Sequence, residues 1–187
     1  MVYQFKIKLK NVDKPSVWRQ IQVPENFTFH KLHQLIQLVF GWEDCHLYQF
    51  SPKGYGSHPV ISKPLAEDWE ESDLNALKTK LNKVFTAEKQ TLTYIYDFGD
   101  DWVHQIVLEK ILSDDIKKPV CMNGNGICPP EDCGGPWGYE NLKTIMSDPK
   151  HQEHQDMKDW LGMDEDENWD ANYFDLTQVN EMLKGYK

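Results

Sequence analysis

The sequence predicts an α+β fold: a mixed sheet built from two β-hairpins, one helix packed across it, and further helices toward the C-terminus. Three observations carry that expectation. The chain opens with strict period-2 alternation, an alternating pair recurs around Gly99, and an amphipathic helical stripe lies between them. Hairpin, helix, strand and hairpin in that order are similar to a β-grasp core. At 187 residues and 40% apolar content the chain can bury one full core, so a single domain over residues 1–187 is expected.

Tyr3, Phe5, Ile7 and Leu9 alternate with Gln4, Lys6, Lys8 and Lys10, the pattern of a strand with one buried face. Asp13 and Pro15 supply a turn, and Val17, Arg19, Ile21 and Val23 return as the second strand. Leu32, Leu35, Ile36, Val39 and Phe40 then follow the i, i+3, i+4, i+7, i+8 spacing of one helical face, with Thr28 placed to cap it and Gly41 to end it. A third strand is expected over His46–Phe50 and a short one at Val60 and Ile61. Leu74, Leu77, Leu81 and Val84 predict a helix over Asp73–Phe85. Tyr94, Tyr96 and Phe98, the turn Gly99-Asp100-Asp101, and His104, Ile106 and Leu108 make the second hairpin. Residues 113–137 hold eight prolines and glycines and read as a long ordered loop of the kind that often carries function. Residues 138–187 read as a helical extension of the same domain, with helices near Tyr139–Met146, His151–Leu161 and Leu176–Lys184; the acidic run Asp164–Glu167 reads as a solvated connector.

No apolar run approaches the roughly 18 to 20 residues that span a bilayer, and Met1–Lys10 lacks a signal-peptide core, so no membrane partner and a cytoplasmic location are expected. Four cysteines are too few for a disulfide scaffold. The net charge of −10 argues against indiscriminate binding to nucleic acid. Residues 1–42 run the other way, with Lys6, Lys8, Lys10, Lys14, Arg19 and Lys31 against Asp13 and Glu25, a balance of +4 that leaves −14 elsewhere. Arg19 is the sole arginine, which disfavours sequence-specific DNA reading. A protein or small-ligand partner is expected instead.

Three segments carry a resemblance to a known family. They are Val17-Trp18-Arg19 through Leu32-His33, Phe40-Gly41-Trp42 and His46-Leu47; Tyr94 to His104 around Asp97-Phe98-Gly99-Asp100-Asp101-Trp102; and Cys128-Pro129-Pro130-Glu131-Asp132-Cys133-Gly134-Gly135-Pro136-Trp137-Gly138-Tyr139. Together they resemble the Ri-plasmid ORF-three-like family of prokaryotic proteins. The resemblance implies an association with mobile genetic elements and brings no biochemical activity with it. Gln20 stands where a second arginine often follows Arg19, and Gly126 where an arginine often precedes the Pro-Pro-Glu-Asp run.

Four constellations bear on chemistry. Cys121, Cys128 and Cys133, with six and four residues between them, offer three thiolates to Zn²⁺ with a fourth ligand from His46, His151 or His154; the ordinary alternative is small buried hydrophobes. Asp97, Asp100 and Asp101 at one hairpin end, with Glu131 and Asp132 in the Pro-Pro-Glu-Asp loop, would gather around Mg²⁺ or Mn²⁺ if the loop folds over the hairpin; their ordinary roles are turns and caps. Arg19 points to the core side of its strand and calls for a carboxylate such as Asp97 or Glu131. Trp18 and Trp102 lie outside the apolar strand faces and are the aromatics expected to meet a ligand. Asp97-Phe98-Gly99 has no phosphate loop or catalytic loop to accompany it and is not a kinase motif. The leading reading is a binding or accessory module whose contacts include Arg19, His46, Asp97, Asp100, Trp102, Glu131 and Asp132. A metal-dependent hydrolase or nuclease on the carboxylates comes second, and a zinc-stabilised protein-protein adaptor third.

Overall fold

The computed structural model describes residues 1–64 and 73–186. Among these residues eight strands lie in one sheet: β1 (Val2–Leu9), β2 (Trp18–Pro24), β3 (Tyr48–Ser51), β4 (Ile61–Ser62), β5 (Leu74–Asn75), β6 (Thr91–Tyr96), β7 (Trp102–Leu112) and β8 (Val120–Asn125). Their order is β5-β4-β3-β6-β7-β1-β2-β8. Among the described residues only β4 and β5 pair in parallel, so the sheet is mixed and the fold is α+β. The helices are α1 (Phe29–Phe40), α2 (Gly135–Ser147), α3 (His154–Trp160) and α4 (Leu176–Lys184). The two hairpins meet through β1 and β7, which run antiparallel. Strands are added on both sides of the paired hairpins, β8 beyond β2 and β3, β4 and β5 beyond β6, and the observed order does not reproduce the β-grasp-like order expected. No described helix is long and apolar enough to cross a membrane.

The register explains the core. Pairing sets Phe5 against Ile21 and Ile7 against Arg19, so one face of the first hairpin carries Tyr3, Phe5, Ile7, Leu9, Ile21 and Val23, all buried. Helix α1 presents Phe29, Leu32, Leu35, Ile36, Val39 and Phe40 to the core. Thr28 accepts a hydrogen bond from the Lys31 amide, and Gly41, at φ 96°, turns the chain out with its amide on the Gln37 carbonyl. The helix has no acid in its first turn and no base in its last. Each buried apolar side chain contributes roughly 1.5–3 kcal/mol, against a few tenths to 1 kcal/mol for such charges, so packing holds it in place.

Two stretches depart from the expected pattern. Asp73–Phe85 is β5, a turn and a short 3-10 helix at Leu81–Lys83 rather than one helix. Its backbone bonds to the rest of the fold: Phe29 and His30 amides donate to the Thr79 and Ala76 carbonyls, and the Leu81 amide donates to Phe27. Asn75 fixes the turn by accepting from the Leu77 amide, and Leu77 is left exposed. These long-range bonds outcompete a weak local helical preference.

The 113–137 loop contains β8, an edge strand of low strand propensity in which only Cys121 is fully buried. A β-carbon at Gly124 would lie 2.5 Å from the Phe174 ring, so glycine is what admits that ring. Asn180 of α4 accepts from the Cys121 amide and donates to its carbonyl, covering the open edge. Helix α2 begins at Gly135, four residues before the predicted start.

Candidate functional site

The second hairpin, the exit of α1 and the Pro-Pro-Glu-Asp loop converge at one end of the sheet. Trp42, buried just after α1, donates its indole N–H to the Pro129 carbonyl and so fixes the loop against the helix exit. Glu131 Oε1 accepts from the Tyr96 hydroxyl at 2.8 Å and from the Glu43 amide at 2.9 Å. Tyr96 in turn accepts from the Cys45 amide. Asp97 turns at φ 57°, where its Oδ1 accepts from the Gly99 amide. That leaves its other oxygen facing His46.

His46 is the centre of the junction. Its Nε2 lies 3.3 Å from Asp132 Oδ1, 3.7 Å from Asp97 Oδ2 and 3.9 Å from Glu131 Oε2. Three carboxylates thus surround one imidazole, and no lysine or arginine bridges to any of them among the described residues. Both His46 Nε2 and Glu131 Oε2 are buried with no hydrogen-bond partner. The donor atoms of His46, Asp97 and Asp132 lie within 4.8 Å of one another, as do those of Cys45, His46 and Glu131. Ligands about 2.1 Å from one ion sit at most about 4.2 Å apart, so side-chain closure of less than about 1 Å would complete either set. An imidazole with carboxylates and a nearby thiol suits a first-row divalent ion such as Mn²⁺ or Zn²⁺ better than Mg²⁺. Asp132 is largely exposed, which leaves that side of the junction open to water.

The other expected contacts lie elsewhere. Asp100 accepts from the Gly134 amide at the start of α2, and Asp101 accepts from the Tyr55 hydroxyl. Arg19 is buried, as its strand pattern requires, but its partners are carbonyls rather than a carboxylate. Nε donates to Val39, Nη1 to Trp18 and Asn125, and Nη2 to Gly126, while the Phe40 and Phe174 rings lie 5.0 and 4.4 Å away. Burial lowers its pKa, and the carbonyl dipoles stand where a counter-charge was expected.

Trp102 is fully buried and unavailable to a ligand; Trp18 is half-buried with the Lys6 ammonium over its ring. Trp69 lies outside the described residues. Cys121, Cys128 and Cys133 belong to neither converging ligand set. Burial pushes the Cys121 thiol up to about 11 and Cys133 up to about 12, and raises Cys128 well above its ordinary value, which favours neutral thiols. His151 accepts from the Glu153 amide and His154 faces the Ile145 carbonyl; both serve the α2–α3 connection. Sequence reasoning passed over Cys45, the cysteine outside the cluster of three. The signal was its position beside His46, two ligand-type residues directly after a helix exit.

Residues 1–178 match the family described as plasmid pRiA4b ORF-3-like protein. The chain belongs to this family. Its relatives include the uncharacterized protein y4hQ of Sinorhizobium fredii, 32% identical over 180 residues that cover 95% of this chain and 90% of that one. Among solved structures, the protein of unknown function MM3350 from Methanosarcina mazei Go1 superposes with a TM-score of 0.79 at 37% identity, covering 95% of this chain and 97% of the other. Neither of these relatives carries an assigned activity in its name.

Proposed function

We propose that the protein is a single-domain binding module whose loop junction is organised by a divalent first-row metal held by His46, Asp97, Asp132 and Glu131, with Cys45 adjacent. One observation carries the reading: His46 Nε2 and Glu131 Oε2 are buried without hydrogen-bond partners where three carboxylates converge. Carboxylates so arranged repel one another, and a shared cation relieves both that repulsion and the unmet polar atoms. The ion would tie the exit of α1 to the end of β6 and to the Pro-Pro-Glu-Asp loop, so its binding would stabilise the fold. Calorimetric titration of metal-free protein with Mn²⁺, Zn²⁺ and Mg²⁺ tests this directly. One equivalent of Mn²⁺ or Zn²⁺ is expected to bind, with loss of binding in His46→Ala; no saturable binding would end the proposal.

A second reading, metal-assisted hydrolysis, has one feature in its favour. The open side at Asp132 would let a bound ion keep a water molecule, the usual source of a nucleophile. Turnover of an activated phosphodiester by metal-loaded protein, abolished by Asp132→Asn, would support it. Complete absence of turnover with Mn²⁺ and Zn²⁺ would remove it for that bond type.

A further inference from the structure

Beside the junction lies a cleft of about 950 Å³ whose walls share no residue with the proposed metal ligands. Its walls come from the first hairpin turn (Asp13, Lys14), the second hairpin turn (Asp100, Asp101), Tyr55 and the start of α2 with Trp137. Trp137 is 88% exposed, the most exposed large apolar side chain among the described residues. Its backbone is nonetheless held firmly. A β-carbon at Gly135 would lie 2.6 Å from the Asp100 carbonyl oxygen, and one at Gly138 would meet the Cys133 carbonyl, so glycines on either side let three backbones touch there. A rigid backbone displaying an uncovered indole is a surface prepared for a partner.

Charge decides which partner. Asp13, Asp100, Asp101 and Glu140 line the cleft against Lys14. Glu140 pairs with Lys143, and Asp13 lies 4.0 Å from Lys8, but Asp100 and Asp101 have no cationic partner among the described residues. The N-terminus of α2 would ordinarily draw an anion to this wall. Here Asp100 already accepts from the Gly134 amide, so that positive end is occupied by the protein's own carboxylate. The cleft therefore disfavours anions and presents two carboxylates with no cationic partner among the described residues beside an indole face, the combination that holds ammonium and guanidinium groups.

The geometry points to this cleft as a docking site for a lysine- or arginine-bearing peptide segment of a partner protein, with a cationic side chain stacked on Trp137 and paired with Asp100 and Asp101. The inference stands apart from the metal reading. It is tested by fluorescence anisotropy with labelled hexapeptides alternating glycine with arginine, lysine or glutamate, added to the full chain in the presence of EDTA. The arginine and lysine peptides are expected to bind and to weaken with added salt; the glutamate peptide is not. Trp137→Ala, at an exposed position, should weaken binding at least tenfold with unchanged melting temperature, and the Asp100→Asn, Asp101→Asn double variant, which keeps both hydrogen-bond acceptors, should weaken it at least tenfold while the chain stays folded. Equal binding of arginine and glutamate peptides, unaltered binding by both variants, or displacement by an equimolar polyamine would overturn it.

Discussion

Two polar regions sit at the edges of the same core, and they treat their charges in opposite ways. Around Arg19, four carbonyls and two aromatic rings surround a buried cation. Around His46, three carboxylates face an imidazole with two buried polar atoms unmatched and one side open to water. The contrast teaches that residue type alone does not identify a site. Arginine and histidine side chains enclosed by fixed partners hold the fold, whereas ligand atoms that converge and remain unmatched are available for chemistry. His104 shows the limit of the second criterion: both its ring nitrogens lack partners, but Phe40, Trp42 and Tyr94 surround it and no ligand set includes it. Convergence is needed as well as an unmet valence.

The sharpest test of the enclosed class is acid. His33 accepts from the Tyr94 hydroxyl at Nδ1 and donates from Nε2 to Asp44 at 2.6 Å, the tautomer that satisfies both partners while the ring is neutral. The Asp44 carboxylate favours the protonated ring, but burial outweighs it and lowers the pKa to about 4; burial lowers His104 to about 3. Both rings are neutral when folded and take up a proton when unfolded below about pH 6.5. Their contribution is therefore complete above pH 6.5 and lost as pH falls toward these folded values. Urea denaturation should show a loss of about 5 kcal/mol between pH 7 and pH 4.5 from the pair. Flat stability over that window would mean one or both rings are already charged in the fold.

Next in size is Arg19→Met. It deprives the Val39, Trp18, Asn125 and Gly126 carbonyls of their shared donor and should cost about 4 kcal/mol, read as a shift in denaturation midpoint. Metal titration of the same variant should be unchanged. A loss of metal binding without loss of stability would reverse the assignment of the two regions. A smaller effect is expected on the other side of the comparison. Mn²⁺ or Zn²⁺ at a hundredfold excess over its dissociation constant should stabilise the protein by about 2.7 kcal/mol. Glu131→Gln and Asp97→Asn should abolish that gain, and equal stabilisation of both variants would place the ion elsewhere.

The first hairpin, α1 with both its caps, the second hairpin and α4 were legible in the sequence, because each declares itself by local periodicity and turn chemistry. Residues 73–85 and β8 were not. The former trades helical bonds for bonds to Phe27, Phe29 and His30, and the latter is a strand only because β2 and Asn180 complete its edges. The candidate site was half legible. Asp97, Glu131, Asp132 and His46 carry the right groups, but their meeting depends on Trp42 reaching the Pro129 carbonyl across 87 residues. Arg19 was legible as buried and misread in its partners, since a strand pattern gives the direction of a side chain and says nothing of which carbonyls surround it.

The smallest expected effect discriminates most between the two classes of ligand-type residue. Cys133 is half-buried, its thiol is held neutral by burial beside Asp100, and it lies outside both converging sets. Cys133→Ala removes one sulfur from a loop already tied down by Trp42 and by Glu131, so a cost of about 1 kcal/mol is expected. The stoichiometry of Mn²⁺ or Zn²⁺ should stay at that of the native chain. A zinc site built on Cys121, Cys128 and Cys133 demands the contrary: loss of the ion together with several kcal/mol of stability, because a structural ion's binding energy becomes folding energy. One substitution measured both ways thus separates a ligand set defined by convergence from one defined by residue type.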